Sequence, residues 1–108
     1  MKLVGARIIA DAKIARYLLD PDHPVGGDKA RFFASFGFDR GKPEVLAAAL
    51  LQHAGARLIH AEREHSRGIN RQLRCEITTP DGRDPCVVVV WFQAAGDSVH
   101  RLVTAYPA

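Results

Sequence analysis

The feature that most constrains this chain is a change in the period of its apolar residues at Gly55. Before it, apolar side chains recur every three or four residues, as on a helix that buries one stripe. After it they recur every second residue, as on a strand that buries one face. Such a chain is neither all-helical nor all-β, and it does not alternate strand and helix as βαβ units do. The pattern predicts an α+β fold, with N-terminal helices packed on one face of a C-terminal four-stranded antiparallel meander sheet. The 108 residues suit a single domain, 1–108, of which 1–55 is mainly helical and 56–108 mainly strand.

In the first half, residues 6–10 read as a short strand or as the lead-in to a helix. Asp11 is the expected N-cap of a helix through Leu19, with Ile14, Tyr17 and Leu18 on one side. Asp20 to Gly27, with two prolines and two glycines, ends it. Asp28 is expected to cap a helix over 29–36, closed by Gly37, and Pro43 to open a third helix ending near Ala54. The inward stripe of that helix is Leu46, Leu50 and His53, with Val45 and Ala49.

In the second half, Leu58 to His65 is a charged strand, hence an edge. Ile69 to Ile77 alternates as a half-buried strand. Cys86 to Phe92 is apolar on both faces, hence central, with Trp91 in the core. Val99 to Tyr106 is the last strand, and one sheet face is left open as a platform.

Composition narrows the functional classes. Apolar residues at 47% and charged residues at 25% are those of a folded globular protein. The net charge of +3 permits contact with phosphates without the dense basic clusters of strong nucleic-acid binders. No apolar run approaches the ~20 residues needed to span a bilayer, and Arg7 and Asp11 interrupt the start too soon for a signal-peptide core. A cytoplasmic protein is expected. Cys75 and Cys86 form no CxxC and lie near no histidine at zinc spacing, so no metal and no cofactor is expected. The two thiols are expected to face each other across the hairpin, buried and reduced, with a cross-strand disulfide as the alternative.

The last strand holds the chemistry. A period of two sets His100, Leu102, Thr104 and Tyr106 on one face, and Val99, Arg101, Val103 and Ala105 on the other. An imidazole, a hydroxyl and a phenol in a row are groups that RNA cleavage uses, one for proton transfer and two as donors to phosphate oxygens. The same spacing also describes an ordinary polar sheet face. Arg101 joins the row only if the strand is twisted or bulged.

His23 lies in a rigid Pro-flanked loop, and Gly26, Gly27 and Lys29 could hold an anion at a helix start. Alternatively the glycines merely turn the chain. His53, His60 and His65 read as structural or solvated. The basic stretch from Arg63 to Arg74, which includes Arg71, reads as a solvated edge or as a surface that steers RNA.

With these segments placed, the chain resembles a family of small uncharacterised bacterial domains. The resemblance rests on Lys13-x3-Tyr17-Leu18-Leu19, on Asp20-Pro21-x-His23-Pro24-x-Gly26, and on Lys29-Ala30-x-x-Phe33. It extends to Trp91 and to Arg101-Leu102-Val103-Thr104-x-Tyr106. Such domains are similar in layout to the barnase–EndoU–colicin–RelE (BECR) superfamily of ribonuclease toxins. That likeness implies cleavage of tRNA, rRNA or mRNA through the 2′-hydroxyl without metal, with His23, Lys29, Arg101, Thr104 and Tyr106 at matching positions. His100 comes from the strand reading alone. The chain departs from the pattern at Gly27-Asp28 before Lys29, and in having no aromatic residue over 67–71.

The expectation is therefore a ribonuclease of the bacterial toxin type. Its catalytic residues would be His23, Lys29, His100, Thr104 and Tyr106, and its substrate-binding residues Arg71, Arg74 and Arg101. Its partners would be RNA and a small acidic immunity or antitoxin-like protein. The alternatives are a non-catalytic interaction module of a toxin–immunity-like pair, docking through the open sheet face or the edge strand, and a non-specific RNA-binding domain.

Overall fold

Local chemistry accounts for where the helices begin and end. Pro43 sits at the first turn of α3 (Pro43–Ala56), where its missing N–H costs nothing. Gly37 takes a φ of +98° just after α2 (Gly27–Ser35), a conformation open to glycine but strained for other residues. The first helix is irregular. α1 (Asp11–Lys13) runs directly into a π-helical segment (Ile14–Leu18), and the Leu19 N–H reaches back five residues to the Ile14 carbonyl at 2.9 Å.

The computed structural model describes residues 1–108. It adds five strands to these helices: β1 (Arg7–Ile8), β2 (Ile59–His65), β3 (Gly68–Glu76), β4 (Cys86–Ala94) and β5 (His100–Pro107). They form one sheet in the order β1-β5-β4-β3-β2. The four strands from β2 to β5 make an antiparallel meander in sequence order, with β2 at an edge. The sheet is nevertheless mixed and five-stranded. β1 joins β5 in parallel, pairing Arg7 with His100 and Ile8 with Arg101. Two residues at an edge leave no periodic trace in a sequence, which explains why a four-stranded sheet is what the pattern predicts.

The core lies between the helices and one sheet face. Leu18, Phe33, Leu46 and Leu50 pack in one cluster with Leu73, Val87, Val89, Trp91, Leu102 and Ala105. In α3, Leu46, Leu50 and His53 are buried as the stripe requires, but Val45 is 39% exposed. The buried His53 Nε2 lies 3.1 Å from the Cys75 carbonyl, to which its N–H donates.

Two local expectations are corrected. Asp28 does not cap α2: Gly26 holds the cap position, and Asp28 pairs with Arg31 one turn on. Cys75 and Cys86 are offset by one residue in the ladder, since Cys86 pairs with Glu76 and Cys75 with Val87, yet their thiols meet across the hairpin as expected and are only less buried than expected. Both thiols are free and half-buried.

The irregularity that matters most lies in β5. Val90 pairs with Thr104 but its neighbour Trp91 pairs with Leu102, so Val103 is an extra residue in a β-bulge. The bulge reverses the alternation. His100 and Leu102 are in register with Gln93 and Trp91 on the helix-covered face, while Thr104 and Tyr106 line up with Val90 and Val88 on the open face. Arg101, in register with Phe92, shares that open face. The expected row of His100, Thr104 and Tyr106 is thus split, and Arg101 takes the place of His100.

Candidate active site at the β5 edge

On the helix-covered side, His100 is 2% exposed and sits in a small recess of about 180 Å³. Arg71 fills one wall. It donates to Glu62 at 2.9 Å, to Gln93 at 2.6 Å and to His100 Nε2 at 2.8 Å. Burial first, and then the Arg71 guanidinium, push the His100 pKa below its usual value, with the Val4 carbonyl opposing and Arg7 adding to the shift. Nε2 therefore accepts from Arg71, and the ring is neutral. His100 and Arg71 satisfy each other there, on the face opposite Thr104, Tyr106, Arg74 and Arg101.

The open side carries a different set. Arg63, Asn70, Phe92 and Arg101 lie in one cross-strand row, and Arg74, Val88 and Tyr106 in another. His65 stacks on Phe92 with ring centroids 5.5 Å apart and an interplanar angle of 17°. Three guanidinium groups and three flat rings thus share a face whose floor is Val88 and Val90. Glu76, at the far end of β3, is the one carboxylate in register with them. Glu62 and Glu64 of β2 alternate to the other side.

The helices meet this face at the edge of β5. Lys29 of α2 donates from Nζ to Tyr17 Oη at 2.9 Å, and Tyr17 Oη lies 3.0 Å from Thr104 Oγ1. The ammonium groups of Lys13 and Lys29 stand 5.1 and 5.2 Å from the centre of the Tyr17 ring. Burial alone would raise the Tyr17 pKa. Hydrogen bonds from Lys29 and Thr104, with the charges of Lys29 and Lys13, outweigh it and bring the phenol below its usual 10.0. Gly26 is needed here for room, because a Cβ at that position would lie 2.6 Å from Tyr17 Cδ1.

His23 packs edge-on to Tyr17, ring centroids 5.1 Å apart. Its Nδ1 accepts the backbone N–H groups of Val25 at 3.0 Å and Gly26 at 2.9 Å, and its carbonyl accepts that of Gly27 at 3.0 Å. This geometry fixes the tautomer with hydrogen on Nε2, so the side chain offers a donor. It also spends the N–H groups of both glycines, which turn the chain here and form no anion cradle.

Lys13, Arg16, Tyr17, His23, Val103 and Thr104 line an open depression of about 610 Å³ with no carboxylate among its nine residues. The arrangement can hold a phosphate between ammonium and hydroxyl donors and can place a phenol oxygen against it. Of the expected residues, the structure gathers His23, Lys29 and Thr104 at this spot, sets Tyr106, Arg101 and Arg74 on the adjoining face, and separates His100 and Arg71. Tyr17 is the residue that the sequence reading passes over, as part of an inward stripe. Its signal was its membership of the Lys13-x3-Tyr17 motif, since all four motif segments meet around its ring.

The α+β fold is shared with a chain of the contact-dependent growth inhibition toxin–immunity protein complex from Klebsiella pneumoniae 342. The two align with a TM-score of 0.71 over 94% of this chain and 99% of that one, at 16% identity. No curated protein matches the chain. Residues 2–108 match the family described as domain of unknown function DUF6883, and the chain belongs to that family.

Proposed function

We propose that this protein is a metal-independent ribonuclease of the bacterial toxin type. The observation that carries this reading is the convergence of Lys29, Tyr17 and Thr104 within two hydrogen bonds, next to a depression that no carboxylate lines and a basic, ring-bearing sheet face. The fold shared with a chain of a growth-inhibition toxin–immunity complex supports a role on one side of such a pair.

In this reading an unpaired RNA segment lies across the open face. Arg101 and Arg74 hold its phosphates, and Phe92 and Tyr106 stack its bases. The scissile phosphate rests at the β5 edge, where Lys29, Lys13 and the His23 Nε2–H donate to its non-bridging oxygens, while the Thr104 hydroxyl bonds to the Tyr17 oxygen. The neighbouring 2′-hydroxyl attacks phosphorus, leaving a cyclic phosphate on one fragment and a 5′-hydroxyl on the other. Arg71 and His100 act from behind, fixing β5 against β3 and β4. The neutralising partner is a small acidic immunity protein, complementary to a chain of net charge +3.

The test is RNA integrity. Purified protein is incubated with total bacterial RNA in EDTA, beside folded Lys29→Ala and Thr104→Ala variants. Discrete fragments are expected from the unmodified protein, with each variant slower by about 10²–10³-fold, the cost of losing one donor to a charged transition state. Intact RNA in all three samples would reject the ribonuclease and leave the interaction module.

A further inference from the structure

The cleavage proposed above needs a base for the 2′-hydroxyl, and the two histidines expected to supply it are not placed to do so. His100 is buried on the other sheet face with Nε2 bonded to Arg71. His23 has Nδ1 filled by two backbone N–H groups and presents only a donor. One other oxygen in the depression can gain and lose a proton.

We propose that Tyr17, as its phenolate, is the catalytic base of this site, held in that form by Lys29 and Thr104. The inference rests on the ribonuclease reading and goes beyond it in naming the proton acceptor. Burial opposes the anion, but the polar groups around the ring favour it. Lys29 of α2 donates directly to Oη, and Thr104 of β5 supplies a hydroxyl that can turn its hydrogen toward it. Lys13 of α1 and Lys29 place positive charge over the ring. His23, in the loop between the helices, meets the ring edge-on, and Arg16 lines the same depression. No carboxylate lines the depression. The π-helical turn sets Tyr17 at the mouth of the depression, where an RNA hydroxyl can reach Oη.

The proton balance is simple. Tyr17 oxygen takes the proton of the 2′-hydroxyl as the 2′-oxygen forms its bond to phosphorus. The bond from phosphorus to the 5′-oxygen breaks, and that oxygen takes a proton from water in the open depression. Tyr17 then releases its proton to solvent and the phenolate is restored.

The experiment pairs a spectroscopic reading with a kinetic one. Near-ultraviolet titration of phenolate should show a step below the usual 10.0 that is absent in Tyr17→Phe. The cleavage rate should rise with pH up to that lower step. Replacing Tyr17 by 3,5-difluorotyrosine, a more acidic phenol of nearly the same shape, should move this rise to lower pH. Tyr17→Phe should cut about 10²–10⁴-fold more slowly, the usual contribution of general acid–base catalysis, with its pH dependence flattened. RNA cleaved with an unmoved rise, or with Tyr17→Phe near full rate, would overturn the base assignment and leave the ribonuclease standing. A titration without that lowered step would also overturn it. Intact RNA beside the lowered step would reject the ribonuclease itself, and the base assignment with it.

Discussion

Several side chains here are fixed by what they exclude. Gly26 is a case in which a methyl group is too much, because its Cβ would press on Tyr17 Cδ1 at 2.6 Å and on the Tyr17 carbonyl at 2.7 Å. Gly26→Ala should cost about 1–3 kcal/mol, the usual penalty of overpacking. It should also lower cleavage further than that loss explains, by turning the ring away from Thr104. Urea denaturation beside the RNA assay separates the two effects. His53 and His100 show the opposite constraint, buried rings held neutral. Burial is the first cause of the lowered pKa in both, with Arg57 adding to it at His53 and Arg71 at His100. The unfolded chain therefore binds more protons than the folded one below the usual 6.5, so stability falls as pH drops through that value and is flat above it. Each unit of pKa difference contributes about 1.4 kcal/mol. Denaturation curves at pH 7.5 and pH 5 should show this loss, and His53→Gln should reduce it while keeping a donor for the Cys75 carbonyl.

At the scale of elements, two departures from regular geometry build the site. The π-helical segment places Tyr17, and the bulge at Val103 turns Thr104 toward it, so the hydrogen bond at 3.0 Å joins two irregularities 87 residues apart. Neither is legible in a sequence. A period of 3.6 continues through Tyr17, and a period of two continues through Thr104, until side-chain packing across the molecule selects the wider turn and the extra residue. The periods do predict the elements that obey them, such as β3 and β4. Removing Val103 would join Leu102 to Thr104 in strict alternation and leave both on the faces they already occupy, with Ala105 still buried and Tyr106 still on the open face. The deletion should therefore still fold, but lose the local bend and twist of the bulge that bring Thr104 to Tyr17, and RNA cleavage should fall with it. Val103→Ala, which keeps the bulge, should unfold at nearly the same urea concentration as the unmodified chain. A deletion that no longer folds would show instead that the extra residue is needed for β5 to pair with β4.

For the whole molecule, the sheet divides charge. Alternation along β2 and β3 sends Glu62, Glu64 and Arg71 to one side and Arg63 and Arg74 to the other, and the bulge adds Arg101 to the second side. RNA affinity should therefore fall steeply with salt. Arg74→Ala and Arg101→Ala should each weaken binding across all sequences and reduce the slope of log affinity against log salt by about 0.7, the single-strand value for one lost phosphate contact. Arg71→Ala should instead show its effect in stability, because its guanidinium is spent on Glu62, Gln93 and His100. Fluorescence anisotropy with a short labelled RNA over a salt series distinguishes these outcomes. The sequence by itself determined the fold class, the order of helices and strands, the antiparallel meander and the central place of Cys86 to Phe92. Each of these follows from local periodicity and short connections. Only the tertiary structure decided that β1 closes the sheet in parallel, that His100 and Thr104 part company, and that Tyr17 stands between Lys29 and Thr104. Those outcomes depend on contacts between residues far apart in the chain, and such contacts leave no periodic mark on either partner.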